Sequence, residues 1–579
     1  MLDFIFKLKW YFSEHKFKYL LVILLAVISN LMEVIPPQLI GWTIDLIDTG
    51  EMTQGYMWMI FIIFVIVIIL TYFLLYTWFS LLFGNAYNIE RILRLRMMQK
   101  FLTLSPGFYE RNKTGELMAK ATNDMRSINK AMGFGLITLL DASTFLGTIV
   151  LVMAFTISLE LTVFALLPLP LLIIIEVQLG RLINKHHAES QKSFGYMNDS
   201  ALEAVEGVRL TRSYVQEDAE AGRFTRMTDD YLRKFMKVER LDALFQPLTI
   251  FVVSLSFIIA FGYGAVLVNE GRMSVGDVVT FNIYLNMLIW PMFAMGMLFN
   301  IMQRGNASLA RIYEILDTED DVPDAGTGHI SSHAIDFDAV SFSYPSSSGR
   351  NLKDINIRLG AGETLGIVGR TGSGKTTLIK QLLRLYPPGG GSLIIDGINI
   401  TRLDRKELRE RIGYVSQENI LFSRTVRENI LFGNPGADEE TLQRAIELSA
   451  LDTDLERMPE GLDTMVGEKG VALSGGQKQR ISIARSLVKD PDILILDDAL
   501  SAVDAKTEAR IIRGIRESRK GRTTIIVTHR LSAVQHADMI VVMDEGEIVE
   551  AGRHDELAGG RGWYAEQNQY YRSGGDGNG

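Results

Sequence analysis

Fourteen consecutive residues, Met59–Tyr72 (MIFIIFVIVIILTY), contain no charged side chain. Such a run cannot sit on the surface of a soluble globule. It lies inside the apolar stretch Met57–Phe83, which exceeds the roughly 20 residues a helix needs to cross a bilayer. Comparable stretches occur at Tyr19–Trp42, Phe134–Ile157, Leu161–Leu179, Pro247–Val268 and Val278–Asn300, which makes six spans in about the first 300 residues. Pro168 and Pro170 interrupt the fourth, as membrane helices tolerate where neighbours satisfy the freed backbone. The remaining part of the chain is charged and reads as soluble. That split excludes one uniform globular domain, a disordered chain and a collagen-like fibre.

Loop charge predicts orientation. Lys7, Lys9, Lys16 and Lys18 precede the first span, and the long segments after the second and fourth spans are rich in Lys and Arg. Asp48–Tyr56 and Ser158–Glu160 carry neither, and Asn269–Ser274 carries only Arg272. The positive-inside rule then places both termini and both long loops in the cytoplasm of a multi-pass membrane protein. The first span is too long for a signal peptide, and no cleavage pattern follows it. Helical periodicity continues into the long loops, as in Ile89, Ile92, Leu93, Leu95, Met97, Met98 and Phe101. They are predicted to be helix extensions that turn through short crossing helices near Ser105–Lys113 and Ser213–Glu217. Without cysteine the chain has no disulfides, thiolate metal sites or Cys nucleophiles. A net charge of −9 and a pI near 5.6 argue against a general nucleic-acid binder.

The domain reading is a helical membrane domain over 1–316, an acidic Gly-containing linker over 317–332, an α/β domain over 333–572 and a disordered tail over 573–579. In the third segment short apolar strands (Thr364–Val368, Gly413–Val415, Ile493–Leu496, Thr524–Val527) alternate with helical patterns such as Thr376–Leu385, which predicts a mainly parallel sheet. The stretch GRTGSGKT (Gly369, Arg370, Thr371, Gly372, Ser373, Gly374, Lys375, Thr376), followed by Thr377, links a strand to a helix. It matches a phosphate-binding P-loop, whose backbone N–H groups and helix N-terminus wrap phosphates. Lys375 would reach the β- and γ-phosphates of ATP, and Thr376 would ligate Mg²⁺. In ILILDD a buried strand ends in two carboxylates. Asp497 is placed to hold Mg²⁺, and Asp498 sits where a group polarising the attacking water would stand.

Between these motifs lies LSGGQKQR, Leu473–Arg480. In this order and spacing it resembles the signature of ATP-binding cassette (ABC) proteins. The whole chain resembles an ABC exporter half-transporter, with a six-helix, domain-swapped membrane domain fused ahead of its nucleotide-binding domain. The resemblance implies that Tyr344 stacks on adenine and that Gln417 links Mg²⁺ to the membrane domain. It implies that Glu468 senses the partner's crossing helix, Asp504 forms the D-loop and His529 contacts the γ-phosphate. It also implies a dimer in which Ser474, Gly475, Gly476 and Gln477 of one chain complete the other chain's ATP site.

One position departs from the family pattern. Competent sites carry Glu after the strand's Asp, and this chain has Asp498. The lost methylene draws the carboxylate back by about 1.5 Å. With an intact LSGGQ, this resembles the Asp-bearing subunit of Bacillus-type heterodimeric multidrug ABC exporters. A slow site in this chain and a strong site completed for its partner would follow. The alternatives are a homodimer with two slow sites, working as a lipid flippase or peptide exporter. Within the spans, Glu33, Asp141 and Glu176 are costly intramembrane carboxylates and candidates for contact with cationic amphipathic drugs. Asn282, Asn286 and Trp290 share a helical face, and Met287, Met292, Met295 and Met297 add adaptable surface. Helix packing is the competing reading for that face. Amphipathic drugs or lipids are the expected cargo, across a bacterial plasma membrane.

Overall fold

The computed structural model describes residues 2–322, 326, 328–330, 333–345, 347, 349–467 and 473–574. Glu468 and the tail residues 575–579 lie outside them, as do the side chains of Glu176 and Met295. Residues 573 and 574 close the helix Trp563–Gly574. Contacts divide the chain into two compact units: Met1–Lys100 with Leu117–Asp317, and Phe101–Glu116 with Thr318–Gly579.

Among the described residues six helical stretches are long and apolar enough to cross a membrane: Lys16–Asp48, Gln54–Thr103, Thr114–Ile157, Leu159–Glu206, Glu217–Asn269 and Val275–Leu316. Each contains one of the six predicted spans or most of it, and several run far past it. Gln54–Thr103 is a single helix of 50 residues. At 1.5 Å per residue it measures about 75 Å, more than twice a hydrocarbon core. The surplus is the predicted extension. It ends at the short helix Pro106–Arg111, where the first crossing helix was expected. In the second loop the short helix is Val208–Ser213, and the turn follows it at residues 214–216, with Val215 at φ 54°. Helices Leu169–Glu206 and Glu217–Asp242 pair along this extension. Lys234 Nζ joins them, donating to Ser193 Oγ (2.6 Å) and Asp230 Oδ2 (2.7 Å). Tyr196, Val205, Leu210 and Tyr214 of this two-helix arm stay open to solvent.

Proline breaks three spans less than its chemistry first suggests. Pro36 and Pro37 cannot donate to the preceding turn, so the first span divides into Lys16–Glu33 and Ile35–Asp48. At this break the Val34 carbonyl accepts from the buried Tyr284 hydroxyl at 2.6 Å. Thr280 Oγ1 donates to the Pro37 carbonyl at 3.2 Å. Higher up, Asp45 caps the helix Val275–Met287 from outside, accepting from Gly276 N and Ser274 Oγ at 2.7 Å each. The fourth span breaks before Leu169, and the sixth at Leu288, so the predicted face Asn282–Asn286–Trp290 runs across a helix junction.

The approach of the first and last helices is set by glycine. A Cβ on Gly276 would lie 2.1 Å from the Gly41 carbonyl oxygen, a backbone clash no rotamer relieves. Gly276→Ala is therefore expected to cost about 1–3 kcal/mol. Gly262→Ala, whose Cβ meets nothing within 4 Å, should gain about 0.5–1 kcal/mol by helix propensity. Thermal unfolding of the two variants in detergent checks this, and shifts of the same sign would refute the packing argument.

Among the described residues the second unit holds ten strands: β1 (Ile335–Phe342), β2 (Leu352–Leu359), β3 (Thr364–Gly369), β4 (Gly390–Ile395), β5 (Ile398–Asn399), β6 (Ile412–Val415), β7 (Ile493–Asp497), β8 (Thr523–Val527), β9 (Met539–Asp544) and β10 (Glu547–Gly552). They form a six-stranded sheet ordered β10-β9-β3-β8-β7-β6 and a four-stranded sheet ordered β2-β1-β4-β5. The first is parallel except at β10, as expected. Its central strands β3, β8 and β7 are buried on both faces, while the edge strand β10 is not. Leu494, Leu496 and Ile526 enter one core, and Ile493, Ile495 and Ile525 enter the other. The second sheet is antiparallel and was not anticipated from sequence. Asp320 and Val322 are tied to this unit: Arg405 Nη1 donates to Asp320 Oδ2 (2.8 Å) and to the Val322 carbonyl (2.7 Å).

Candidate active site

The loop after β3 is shaped by backbone that only glycine accepts. Gly369 has φ 143°, and a Cβ there would lie 2.1 Å from the Met543 carbonyl oxygen. Gly372 and Gly374 are also left-handed, at φ 85° and 101°. The helix Lys375–Leu382 opens directly from Gly374, so its free N–H groups face the loop. Lys375 is buried, and its Nζ donates to the carbonyls of Gly369 (2.9 Å) and Arg370 (2.8 Å). Burial holds its ammonium below the usual lysine range, opposed by Asp498 and Asp497.

Asp497, at the end of β7, is fully buried. Its Oδ1 accepts from Thr376 Oγ1 at 3.0 Å, and its Oδ2 from the Tyr414 hydroxyl at 3.3 Å. Burial pushes its carboxyl above the ordinary aspartate range, the two hydroxyls pull it back, and Asp498 pushes it up again. Asp498 has φ 49°, left-handed backbone that Asp tolerates better than most residues. Its N–H donates to the Val527 carbonyl at 2.8 Å, tying it to β8.

A cavity of about 440 Å³ brings most of the predicted residues together: Thr371–Thr377, Gln417, Asp497, Asp498 and His529 line it. Arg350, Asn351 and Glu545–Gly546 complete the wall and were not anticipated. The Gly546 N–H donates to the Ser373 carbonyl at 3.1 Å, so the β9–β10 turn backs the loop. These residues fit a magnesium-bound triphosphate. The loop offers backbone donors and an ammonium for phosphate oxygens. Thr376 and Asp497 offer hard oxygen ligands side by side. Among the described residues no group of three or more His, Asp or Glu gathers into a cage, so a dication here would share its shell with the phosphates.

Other predicted residues lie elsewhere. Tyr344 is outside the lining but adjoins the loop, with its hydroxyl donating to Thr377 Oγ1 at 3.2 Å. Ser474, Gly475, Gly476 and Gln477 do not line this cavity. They open the helix Gly475–Leu487, where Ser474 Oγ accepts from Gln477 N (3.3 Å) and Gln477 Oε1 accepts from Ser474 N (3.0 Å). Asp504 also stands apart and caps the helix Ala505–Ser518, accepting from Thr507 N at 3.0 Å. That backbone donor holds its carboxyl below the usual range.

Sequence reasoning missed the residues that fix the segment between Asp498 and Asp504. Buried Gln479 accepts from Ala502 N (2.9 Å) and donates to Ser501 Oγ (2.9 Å). Arg530 donates to the Val503 and Ser501 carbonyls (2.9 and 3.0 Å) and pairs with buried Glu508 (2.6 Å). Their adjacency to LSGGQ and to His529 was the available signal. In the membrane half Trp290 and Glu33 both lie within electrostatic reach of Asp141. Asn282 instead turns its amide to the Val278 carbonyl at 2.8 Å, and Asn286 is exposed.

Residues 19–292 match the family model for the ABC transporter transmembrane region, and residues 352–501 match that for the ABC transporter. The chain belongs to the ABC transporters and is a transporter ATPase of that family. It is 51% identical to the "Probable multidrug resistance ABC transporter ATP-binding/permease protein YheI" of Bacillus subtilis (strain 168), over 97% of this chain and 96% of that one. The "Multidrug resistance-like ATP-binding protein MdlA" of Escherichia coli (strain K12) is 38% identical, over 97% and 96% respectively. Among solved structures, a bacterial Atm1-family ABC exporter with ATP bound matches with a TM-score of 0.82 and 27% identity, covering 96% of this chain and 99% of that one. The exporter fold is thus a six-span helical domain followed by an α/β nucleotide-binding domain.

Proposed function

We propose that this chain is one half of a heterodimeric exporter that moves amphipathic drugs across a bacterial plasma membrane, with both termini cytoplasmic. The observation that carries the dimer is the position of the signature. Ser474–Gln477 lie outside the cavity built by this chain's own P-loop. A complete site then needs a second chain, whose Gly-rich signature helix faces these phosphates while Ser474–Gln477 serve the partner's. The open apolar side chains of the two-helix arm support the same reading, as does the naming of the relatives for multidrug resistance.

In this reading Lys375 and the loop amides bind the β- and γ-phosphates, Tyr344 stacks on adenine, and Thr376, Asp497 and Gln417 hold Mg²⁺. The ion, when bound, neutralises charge developing on the phosphates. Asp498 and His529 orient the attacking water and the γ-phosphate, with Asp498 too short to do so fast. Closure of the two nucleotide-binding domains is passed to the spans by the crossing helices, giving alternating access. Glu33, Asp141 and Trp290 are proposed to contact cationic cargo.

The test is the Mg²⁺-ATPase rate of the chain purified alone in lipid, with Lys375→Ala as the blank. A rate at the blank, restored by a Glu-bearing half-transporter, is the expected result. Several turnovers per second from the chain alone would overturn the heterodimer and make two copies of Asp498 sufficient.

A further inference from the structure

Tyr386 sits between two parts of the second unit that the nucleotide site does not explain. It is almost fully buried, with 2% exposure. Its hydroxyl donates to Glu110 on the crossing helix Pro106–Arg111. The same helix rests on the Tyr386 ring: a Cβ on Gly107 would meet Tyr386 Cε1 at 3.9 Å. On its other side the ring packs edge-on against Tyr344, with centroids 5.0 Å apart and planes at 83°. Lys380, on the P-loop helix, sets its ammonium 5.4 Å from the Tyr344 centroid and 5.8 Å from that of Tyr386. Tyr344 in turn is bonded to Thr377, the neighbour of Thr376.

These contacts form a short physical line from the P-loop helix through two rings to a carboxylate on the crossing helix. A buried phenol bonded to a carboxylate is a charge-assisted link that is costly to leave unmade. Close-packed rings pass on displacement because no void absorbs it. The geometry points to Tyr386 as a positioning residue that reports occupancy of the Tyr344 face by a nucleobase to the crossing helix, through Glu110. This rests on the proposed nucleotide site and adds a division of labour to it. Phosphates are held by the loop, while the base is what the crossing helix feels.

Amide hydrogen exchange of the full-length chain in detergent tests the division, comparing Mg²⁺-ATP with Mg²⁺-tripolyphosphate, which has no base. Both should slow exchange over Gly372–Thr376. Only ATP should slow the amides of Pro106–Arg111, by about tenfold. Tyr386→Phe should abolish the second effect and keep the first. Glu110→Ala, at an exposed position, should do the same. Glu110→Gln keeps a carbonyl acceptor for the phenol and should retain most of the effect. Full protection of the crossing helix in Tyr386→Phe or Glu110→Ala, or equal protection by tripolyphosphate, would overturn the relay. Loss of P-loop protection by ATP in the unaltered chain would overturn the nucleotide site and the relay together.

Discussion

Replacing Asp498 by Glu is expected to raise ATP turnover at this chain's own site about 100-fold. The added methylene restores about 1.5 Å of reach toward the water position. The neighbouring geometry is otherwise in place, since Asp498 lines the cavity with Lys375, Gln417 and His529. The gain has a structural cost. Residue 498 has φ 49°, and Glu lacks the short side chain that makes Asp tolerable there. A penalty of about 1 kcal/mol follows, seen as a loss of about 2–4 °C in the midpoint of a domain of this size. The check is Mg²⁺-ATPase per chain in the assembled dimer beside a melting curve. An unchanged rate would show that carboxylate reach does not limit this site.

Asp497→Asn should act in opposite senses on activity and on stability. Mg²⁺-ATPase should fall about 1,000-fold, because the charge facing Thr376 is the site's fixed anion. Without nucleotide the variant should be more stable than the natural protein at pH 8. The carboxyl is buried and its pKa is raised, so its ionised form disfavours the fold. The sign follows from linkage. With a raised folded pKa, stability is fully present below the ordinary aspartate value of about 3.9 and is lost as pH rises through the folded value. The advantage of Asn should therefore grow across that window and vanish below it. The Thr376 and Tyr414 hydroxyls can rotate to suit an amide. Melting curves from pH 4 to 8 read this directly, and a lower midpoint for the variant at pH 8 would contradict it.

Much of the nucleotide site was legible because its parts are local. GRTGSGKT and ILILDD each carry their strand and turn with them, and β3, β7 and β8 appear where their apolar runs predict. The antiparallel sheet was not legible. β1 is irregular, with register shifts and Ala339 at φ 52°, so its alternation is blurred. Pairings across long sequence separations were equally silent. Nothing in the sequence couples Tyr386 to Glu110, 276 residues away, or Tyr284 to Val34. The membrane spans were plain from apolar length, and Pro168 and Pro170 marked the break in the fourth, but the bonds beside the first break were not legible, because their donors sit on another helix.

The bonds that flank the break at Pro36–Pro37 have a mechanical consequence. Tyr284 to Val34, Thr280 to Pro37 and Asp45 to Ser274 and Gly276 all join Ile35–Asp48 to Val275–Met287. Pulling these segments apart would leave the Asp45 carboxylate and the Gly276 N–H unpaired, which is costly away from water. Ile35–Asp48 and Val275–Met287 therefore behave as one welded strut. Any swing of the first helix relative to the last has its fulcrum at Val34, and the lever is the arm Lys16–Glu33.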